Sequence, residues 1–224
     1  AFHNGAFVNA LIALNFFIRV LKKKSALHLT LLFLTIFISI ISDRFFTVYF
    51  IFPAIATTVF SLFDKENRKR KAIYLGGMAL LTAISYTTFN LLKAYKIITV
   101  FNKTLAIDLN VNKSSFTIFI EQFSHYLTAF DSRSFALYFT IISFILLSRF
   151  IYQRFKAERL TVVNPELLLI VFLFFFMSIV LVTPILSGIY SGWDTLRYNF
   201  QVIIIGLLFF GITFKSSSNK IKTI

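Results

Sequence analysis

The sequence predicts an all-α membrane protein, a polytopic bundle of about seven transmembrane helices with one amphipathic helix in an external loop. Hydrophobic residues make up 58% of the chain and its mean hydropathy is +0.80, which is too apolar for a soluble domain. The apolar residues form blocks separated by short charged clusters. Basic residues collect in alternate gaps between these blocks, as they do in membrane proteins of fixed orientation. We expect residues 1–224 to form a single transmembrane domain, the C-terminal part of a longer protein.

The chain is organised around Ser42-Asp43-Arg44, which interrupts an apolar run from Ala26 to Phe63. As one straight helix this run would be about 57 Å long, nearly twice the ~30 Å hydrocarbon core of a bilayer. A lone ion at the bilayer centre costs at least ~2.5 kcal/mol, so the charges belong at the water interface. The run therefore predicts a helical hairpin of Ala26–Ile41 and Phe45–Phe63, with Asp43 and Arg44 at its tip.

Five further apolar blocks complete the predicted bundle. They cover about Gly5–Leu21, Ala72–Leu92, Ser134–Tyr152, Glu166–Leu186 and Leu196–Phe214. Each block approaches or exceeds the length that a membrane-spanning helix needs. The second of them contains Gly76-Gly77, and paired glycines predict a close approach of two helices.

The interval from Lys93 to Arg133 is the one long polar stretch between predicted spans. Six apolar residues recur in it at helical spacing: Phe116, Phe119, Ile120, Phe123, Leu127 and Phe130. Polar residues occupy the other positions: Ser115, Glu121, Gln122, Ser124 and His125. This pattern predicts an amphipathic helix that lies in the headgroup region, or alternatively a lid over the membrane part of a site.

The distribution of basic residues predicts the orientation of the bundle. Sixteen of the 23 Lys and Arg residues lie in one alternate set of gaps, and seven lie in the other. The positive-inside rule assigns the richer set to the cytoplasm, so the N-terminus of this chain is expected outside and its C-terminus inside. Because the basic residues lie between apolar blocks rather than along a soluble face, the sequence argues against nucleic-acid binding.

Seven candidate binding residues are expected at the outward end of the bundle. They are His3, Asp43, Arg44, Trp193, Asp194, Arg197 and Tyr198. Arginine binds phosphate through bidentate hydrogen bonds, and an aromatic ring beside it can contact a sugar or a prenyl chain. The structural alternative is that Asp43 pairs with Arg44 or Arg197 only to complete the bundle, and that His3 is solvated or caps a helix.

The residues that do chemistry in many enzymes are scarce in this sequence. It contains no cysteine, which excludes disulfides, thiolate metal sites and cysteine nucleophiles within the chain. The sequence predicts no cofactor, gives no support for a divalent metal and identifies no catalytic residue.

Three stretches resemble a known family. The segment 41–46, ISDRFF, followed by residues 49–53, is similar to a pattern in bacterial multi-span proteins that resemble the membrane half of GT-C glycosyltransferases. Arg197-Tyr198 at the start of a late span and His3-Asn4-Gly5 near the start of the chain are also similar to that superfamily. The likeness covers less than a third of the chain.

This resemblance implies transfer of a sugar from a polyprenyl-phosphate donor at the outer face of the bacterial inner membrane. It implies that Arg197 and Arg44 hold phosphate and that Asp43 orients them or a sugar hydroxyl. Tyr198 and Trp193 would line the acceptor side. The partners that it implies are membrane lipid and a polyprenyl-phosphate-linked sugar.

Two other classes of function fit the same composition. A transporter or flippase typically contains Gly or Pro breaks in mid-span and charges at mid-depth, whereas the breaks here are few, at Pro53 and Pro184. A scaffold subunit without any site is the third possibility. The unbroken spans favour the transferase over the transporter.

Overall fold

A computed structural model of the protein describes residues 4–22, 25–63, 68–98, 109–129, 132–157, 165–186 and 203–211. Its helices are α1 (Asn4–Lys22), α2 (Ala26–Ser42), a π-helical segment (Thr47–Ile51) that continues into α3 (Phe52–Ser61), α4 (Arg68–Ala94), α5 (Leu109–Ala129), α6 (Ser132–Ala157), α7 (Pro165–Leu186) and α8 (203–211). The described residues include no strand. The predicted all-α class is therefore confirmed for this part of the chain.

Three described helical stretches are long and apolar enough to cross a membrane: Gly5–Lys22, Arg68–Ala94 and Glu166–Thr183. Three shorter apolar stretches accompany them: Ala26–Ser42, Thr47–Ser61 and Leu137–Gln153. At ~1.5 Å per residue, the 17 residues of α2 reach about 25 Å, less than the ~30 Å hydrocarbon core. Most of the predicted last span, Leu196–Phe214, lies outside the described residues. The membrane-helix character is shown, and the number of seven spans stays a prediction.

The chain forms two compact units. Unit 1 comprises Ala1–Thr104 and Arg154–Ile179, and unit 2 comprises Leu105–Gln153 and Val180–Ile224. A membrane domain can contain more than one compact unit. The expected single transmembrane domain therefore stays a prediction.

In unit 1, the π-helical segment and α3 run antiparallel to α4. The hydroxyls of Thr47 and Tyr86 lie 3.0 Å apart. At the far end of the same pair of helices, Lys71 Nζ donates a hydrogen bond of 3.1 Å to the Ser61 carbonyl. As the chain advances from residue 47 to 61, its partners on α4 therefore move back from 86 to 71.

Helix α2, which precedes the Asp43-Arg44 turn, runs parallel to α4. The Arg70 side chain donates to the Leu21 carbonyl at 3.2 Å, so the end of α1, just before α2, lies beside the start of α4. Midway along, a Cβ on Gly77 would lie 3.2 Å from Cζ of the Phe33 ring. Since α2 and α3 pack on the same helix in opposite directions, the chain reverses at Asp43-Arg44. The predicted hairpin is thereby confirmed.

The diglycine prediction is correct at one of its two positions. Gly77 makes the close approach to α2, whereas a Cβ on Gly76 would meet nothing within 4 Å. Successive residues point about 100° apart around a helix, so two adjacent glycines cannot both face the same neighbour.

The core of unit 1 is a cluster of aromatic rings from α1, the π-helical segment and α7. Its members are Phe7, Phe17, Tyr49, Phe50, Phe172 and Phe176, all less than a tenth exposed. Ring centroids within the cluster are 5.8 to 6.5 Å apart, in edge-on, tilted and stacked arrangements. Such pairs add to the burial of apolar area. Phe172 contacts Phe17 and Phe176 contacts Phe7, so α7 runs antiparallel to α1.

The π-helical segment interrupts the regular α-helix of the predicted span Phe45–Phe63, next to the predicted break at Pro53. The Phe52 N–H donates to the Thr47 carbonyl, five residues back, immediately before Pro53. Proline has no N–H, and its ring clashes with the carbonyl four residues earlier in a regular α-helix. A wider turn relieves this clash, and it rotates Tyr49 and Phe50 together into the aromatic cluster.

Unit 2 contains a close contact between α6 and α8. The Phe139 ring lies 5.6 Å from the Phe210 ring, and Phe150 lies 6.3 Å from Phe209. A Cβ on Gly206 would lie 2.7 Å from Phe139 Cε1 and 2.7 Å from Ser143 Oγ. Glycine at this position lets the two helices approach closely, as small residues do between membrane helices.

Two glycine substitutions, one at this contact and one at an open site, are expected to change the stability in opposite directions. Gly206→Ala is expected to lower the free energy of unfolding by roughly 1–3 kcal/mol, because the methyl group overpacks against Phe139 and Ser143. The matched control Gly76→Ala is expected to raise it by up to about 1 kcal/mol, since alanine favours helix and the site is open. Denaturant titration in detergent micelles measures both. A Gly206→Ala protein as stable as the parent would contradict the close contact.

The helix predicted in the long polar interval is confirmed as α5, but its faces differ from the prediction. Ser115, Gln122 and Tyr126 form a buried stripe and are at most 5% exposed. A second stripe of three apolar residues is exposed: Phe116, Ile120 and Leu127. A third sector carries exposed polar residues: Lys113, Thr117, Glu121, Ser124 and Thr128. The predicted polar face is therefore divided, because Ser115 and Gln122 pack inward while Glu121, Ser124 and His125 stay outside.

Candidate binding site at the Asp43-Arg44 turn

Asp43 shapes the turn between α2 and the π-helical segment. It has extended backbone angles, φ −152° and ψ 111°, and its N–H donates to the Ser39 carbonyl at 2.8 Å, which closes the end of α2. Its carboxylate oxygen Oδ1 accepts the Phe45 N–H at 2.9 Å, and its carbonyl accepts the Phe46 N–H at 3.0 Å. An aspartate that accepts an N–H two residues on is a typical N-terminal cap. Asp43 therefore ends one helix and starts the next.

Arg44 presents a charged group on an aromatic surface. Its side chain is exposed, and its guanidinium carbon lies 4.7 Å from the centre of the Phe89 ring. This is the distance of a cation–π interaction. Phe89 lies in the second-last turn of α4, close to a helix C-terminus, where positive charge is favoured. A guanidinium has five N–H donors, and a contact with an aromatic ring satisfies none of them by a conventional hydrogen bond, so donors remain for an anion.

A pair of hydroxyls lies on the helices beneath this arginine. Thr47 begins the π-helical segment and shares a hydrogen bond of 3.0 Å with Tyr86, one turn before Phe89 on α4. The bond joins the turn to α4 at the level of Arg44. Short π-helical segments are found frequently at functional sites, and this one begins three residues after Arg44.

The seven predicted site residues fall into two groups. The structure brings Asp43 and Arg44 together at the turn and shows what each contacts. His3, Trp193, Asp194, Arg197 and Tyr198 lie outside the described residues, so their proposed roles stay predictions. The described part of the chain contains no group of three His, Asp or Glu side chains placed to hold a metal ion.

Three residues beside the turn were not predicted: Thr47, Tyr86 and Phe89. Sequence order alone indicates that the end of the fourth span returns to the level of the hairpin tip. Which face of that span meets the tip depends on how α4 is rotated, and the sequence carries no signal for this rotation.

The arrangement at the turn can bind an anion. The Phe89 ring holds the exposed Arg44 guanidinium, and the Asp43 cap fixes the Arg44 backbone. The guanidinium offers paired N–H donors that match the oxygens of a phosphate. The chain matches no protein-family model, no curated protein and no solved structure.

Proposed function

We propose that this chain is the membrane portion of a GT-C-like glycosyltransferase, which moves a sugar from a polyprenyl-phosphate donor at the outer face of the bacterial inner membrane. The observation that carries the proposal is the exposed Arg44 guanidinium, held 4.7 Å from the Phe89 ring at one end of the helices of unit 1. In this proposal Arg44 and Arg197 bind the donor phosphate through bidentate hydrogen bonds.

The roles of the other candidate residues follow from their chemistry. Asp43 holds the turn through the Phe45 N–H, and thereby orients Arg44. Tyr198 and Trp193 line the acceptor side, and His3 and Asp194 complete the polar rim. A preorganised arginine loses less conformational entropy when it binds phosphate than a mobile one does, so the support from Phe89 and Asp43 favours affinity.

Exposed apolar side chains near the turn are suited to a lipid-linked donor. Ile38 on α2 is 61% exposed, and Leu91 on α4 is 52% exposed. Ile38 lies five residues before Asp43 along the chain, and Leu91 lies two residues after Phe89, the residue that contacts Arg44. A prenyl chain that extends from a phosphate at Arg44 into the bilayer would contact surfaces of this kind, whereas a water-soluble sugar phosphate would leave them uncovered.

The direct test is equilibrium binding of a polyprenyl-phosphate sugar to the purified full chain in detergent. We expect saturable binding, with competition by the polyprenyl phosphate that lacks the sugar. Absence of saturable binding would overturn the proposal. Movement of the bound lipid between the leaflets of a proteoliposome, without sugar transfer, would favour the transporter or flippase instead.

The proposal includes seven spans, with the Asp43-Arg44 turn outside. Single cysteines introduced into this cysteine-free chain at Asn112 and Gly192 are expected to react with an impermeant maleimide added to sealed cells. Cysteines at Asn67 and Ser217 are expected to react only after the membrane is opened. The split of basic residues between alternate gaps is the physical reason. Labelling at Asn67 in sealed cells would reverse the orientation and remove the outward site.

The proposal also assigns α5 to the membrane interface. Its three sectors suit that location, because one is buried within the protein, the stripe of Phe116, Ile120 and Leu127 can enter the acyl region, and the polar sector can face water. The Tyr138 hydroxyl donates a hydrogen bond of 2.6 Å to the Leu127 carbonyl and ties the end of this helix to α6.

A further inference from the structure

One end of unit 1, here called the basic end, brings together the C-termini of α1 and α3 with the start of α4. Three basic side chains of the first turn of α4 make its contacts. Arg68 Nε donates to the Leu62 carbonyl at 3.0 Å, Arg70 Nη2 to Leu21 at 3.2 Å, and Lys71 Nζ to Ser61 at 3.1 Å. The last carbonyls of a helix lack partners within it, and cations are favoured beside them. The run of charges from Arg68 to Lys71 predicts a loop before the span Ala72–Leu92, but these residues begin α4, and their side chains close the ends of two other helices.

Further positive charge is exposed at the basic end. Lys22 follows Leu21, and Lys69 precedes Arg70, so the two lysines flank the hydrogen bond between Leu21 and Arg70. Both are exposed, as is Arg68. Like charges gathered at one end of a helix bundle repel one another, and an anion bound among them relieves the repulsion.

The two acidic residues that the structure describes in unit 1 are too few to offset this charge. They are Asp43, which lies at the opposite end, and Glu166 in the first turn of α7, which runs antiparallel to α1 and so begins on the side of the basic end. Glu166 is half-buried and makes a contact within the protein. In the sequence, residues 19–24 and 64–71 contain nine Lys and Arg residues against two acids, Asp64 and Glu66. This excess of positive charge attracts an external anion.

Large apolar side chains are also exposed at the basic end. Leu27 in the first turn of α2 is 66% exposed, Phe63 after α3 is 63% exposed, and Ile73, one turn beyond Lys69 on α4, is 71% exposed. A nucleic acid or an acidic peptide would pair with the charges but would leave these side chains in water. A phospholipid supplies an anionic headgroup and adjoining acyl chains in the same molecule.

We propose that the basic end binds an anionic phospholipid, with the headgroup phosphate between Lys22 and Lys69 and an acyl chain along Ile73. The three carbonyl contacts hold α1, α3 and α4 at the spacing that keeps the two lysines together. The proposal is independent of sugar transfer, since it concerns the end of unit 1 opposite to the Asp43-Arg44 turn.

The test is the equilibrium constant for binding the first phosphatidylglycerol molecule to the full chain in detergent, measured by native mass spectrometry. Each lysine near an anionic headgroup is expected to contribute about fivefold, so Lys22→Gln with Lys69→Gln should weaken binding about 25-fold. Binding of phosphatidylcholine should not change. High salt should reduce the preference of the parent protein for phosphatidylglycerol, because both lysines are exposed.

The matched control is Lys96→Gln with Lys113→Gln, which removes the same charge from two exposed lysines outside the patch. This control should retain the phosphatidylglycerol preference. Equal weakening by both double variants would mean a general charge effect and would overturn the proposal, as would an unchanged constant in the Lys22 and Lys69 variant. If water-soluble glycerol phosphate competes with bound phosphatidylglycerol as effectively as the free lipid does, the site binds a simple anion instead. Helical circular dichroism checks that each variant is folded.

Discussion

Replacing Arg44 with lysine is expected to lower the affinity of the full chain for a polyprenyl-phosphate sugar at least tenfold. Lysine keeps the charge and can still lie on the Phe89 ring, but it loses the planar fork that gives two parallel hydrogen bonds to phosphate. Loss of one charge-assisted hydrogen bond is worth about 1.5–3 kcal/mol, which corresponds to tenfold or more. The melting temperature should change little because the side chain is exposed.

The control for this substitution is Arg68→Lys, at the opposite end of unit 1. It makes the same chemical change at another exposed arginine, one that contacts the Leu62 carbonyl rather than an aromatic ring. Donor binding should be unaffected by it. If Arg68→Lys weakens donor binding as much as Arg44→Lys does, the donor is not held at the Asp43-Arg44 turn.

Arg197→Lys should abolish donor binding for the same reason, if Arg197 shares the site. A double-mutant cycle with Asp43→Ala and Arg197→Ala distinguishes this from a purely structural ion pair. A structural pair would show coupling in the melting temperature, and the double variant would recover part of the stability lost in each single one. Coupling between Asp43 and Arg197 that appears only in the melting temperature, with donor binding unchanged in every variant, would exclude the proposed phosphate site.

Phe50→Ala is expected to have the largest effect on stability, a loss of about 3–5 kcal/mol in the free energy of unfolding. Phe50 is fully buried in the aromatic cluster, where it contacts Phe17, Phe46 and Phe172. Removing the ring deletes these contacts and leaves a cavity that the surrounding helices cannot fill completely.

The matched control is Phe52→Ala, two residues after Phe50 at the start of α3. Phe52 is 50% exposed, so its truncation should change the free energy of unfolding by less than about 1 kcal/mol. Denaturant titration in the same micelles compares the two variants. Equal losses at Phe50 and Phe52 would contradict the rotation that the π-helical segment imposes on these side chains.

Much of unit 1 could be predicted because strong local signals agree there. An apolar run of residues 26–63 is too long for one span, and its charges occur near the middle, so a turn at Asp43-Arg44 is the arrangement of lowest cost. Asp43 adds its own signal, since aspartate favours helix caps.

In unit 2, the helix between Lys93 and Arg133 could likewise be predicted from periodicity, because α5 repeats apolar residues over several turns.

Other features depend on contacts between residues far apart in the sequence. The start of α4 was assigned to a loop because Arg68 to Lys71 are charged, yet Lys71 is buried against the Ser61 carbonyl. The faces of α5 were assigned by polarity, yet Gln122 points inward and Phe116 outward. In a bilayer an exposed apolar face is stable, so polarity does not distinguish the inside of a membrane protein from its lipid-facing surface.

The sequence by itself determined the helical class, the membrane character and the position of the hairpin turn, because each depends on the composition and spacing of neighbouring residues. Only the tertiary structure decided that Phe89 lies under Arg44, that Gly77 rather than Gly76 meets α2, and that a π-helical turn directs Tyr49 and Phe50 into the core. The physical reason is rotation about the helix axis. Hydrophobicity sets where a membrane helix begins and ends, whereas packing against its neighbours sets which side chains face them.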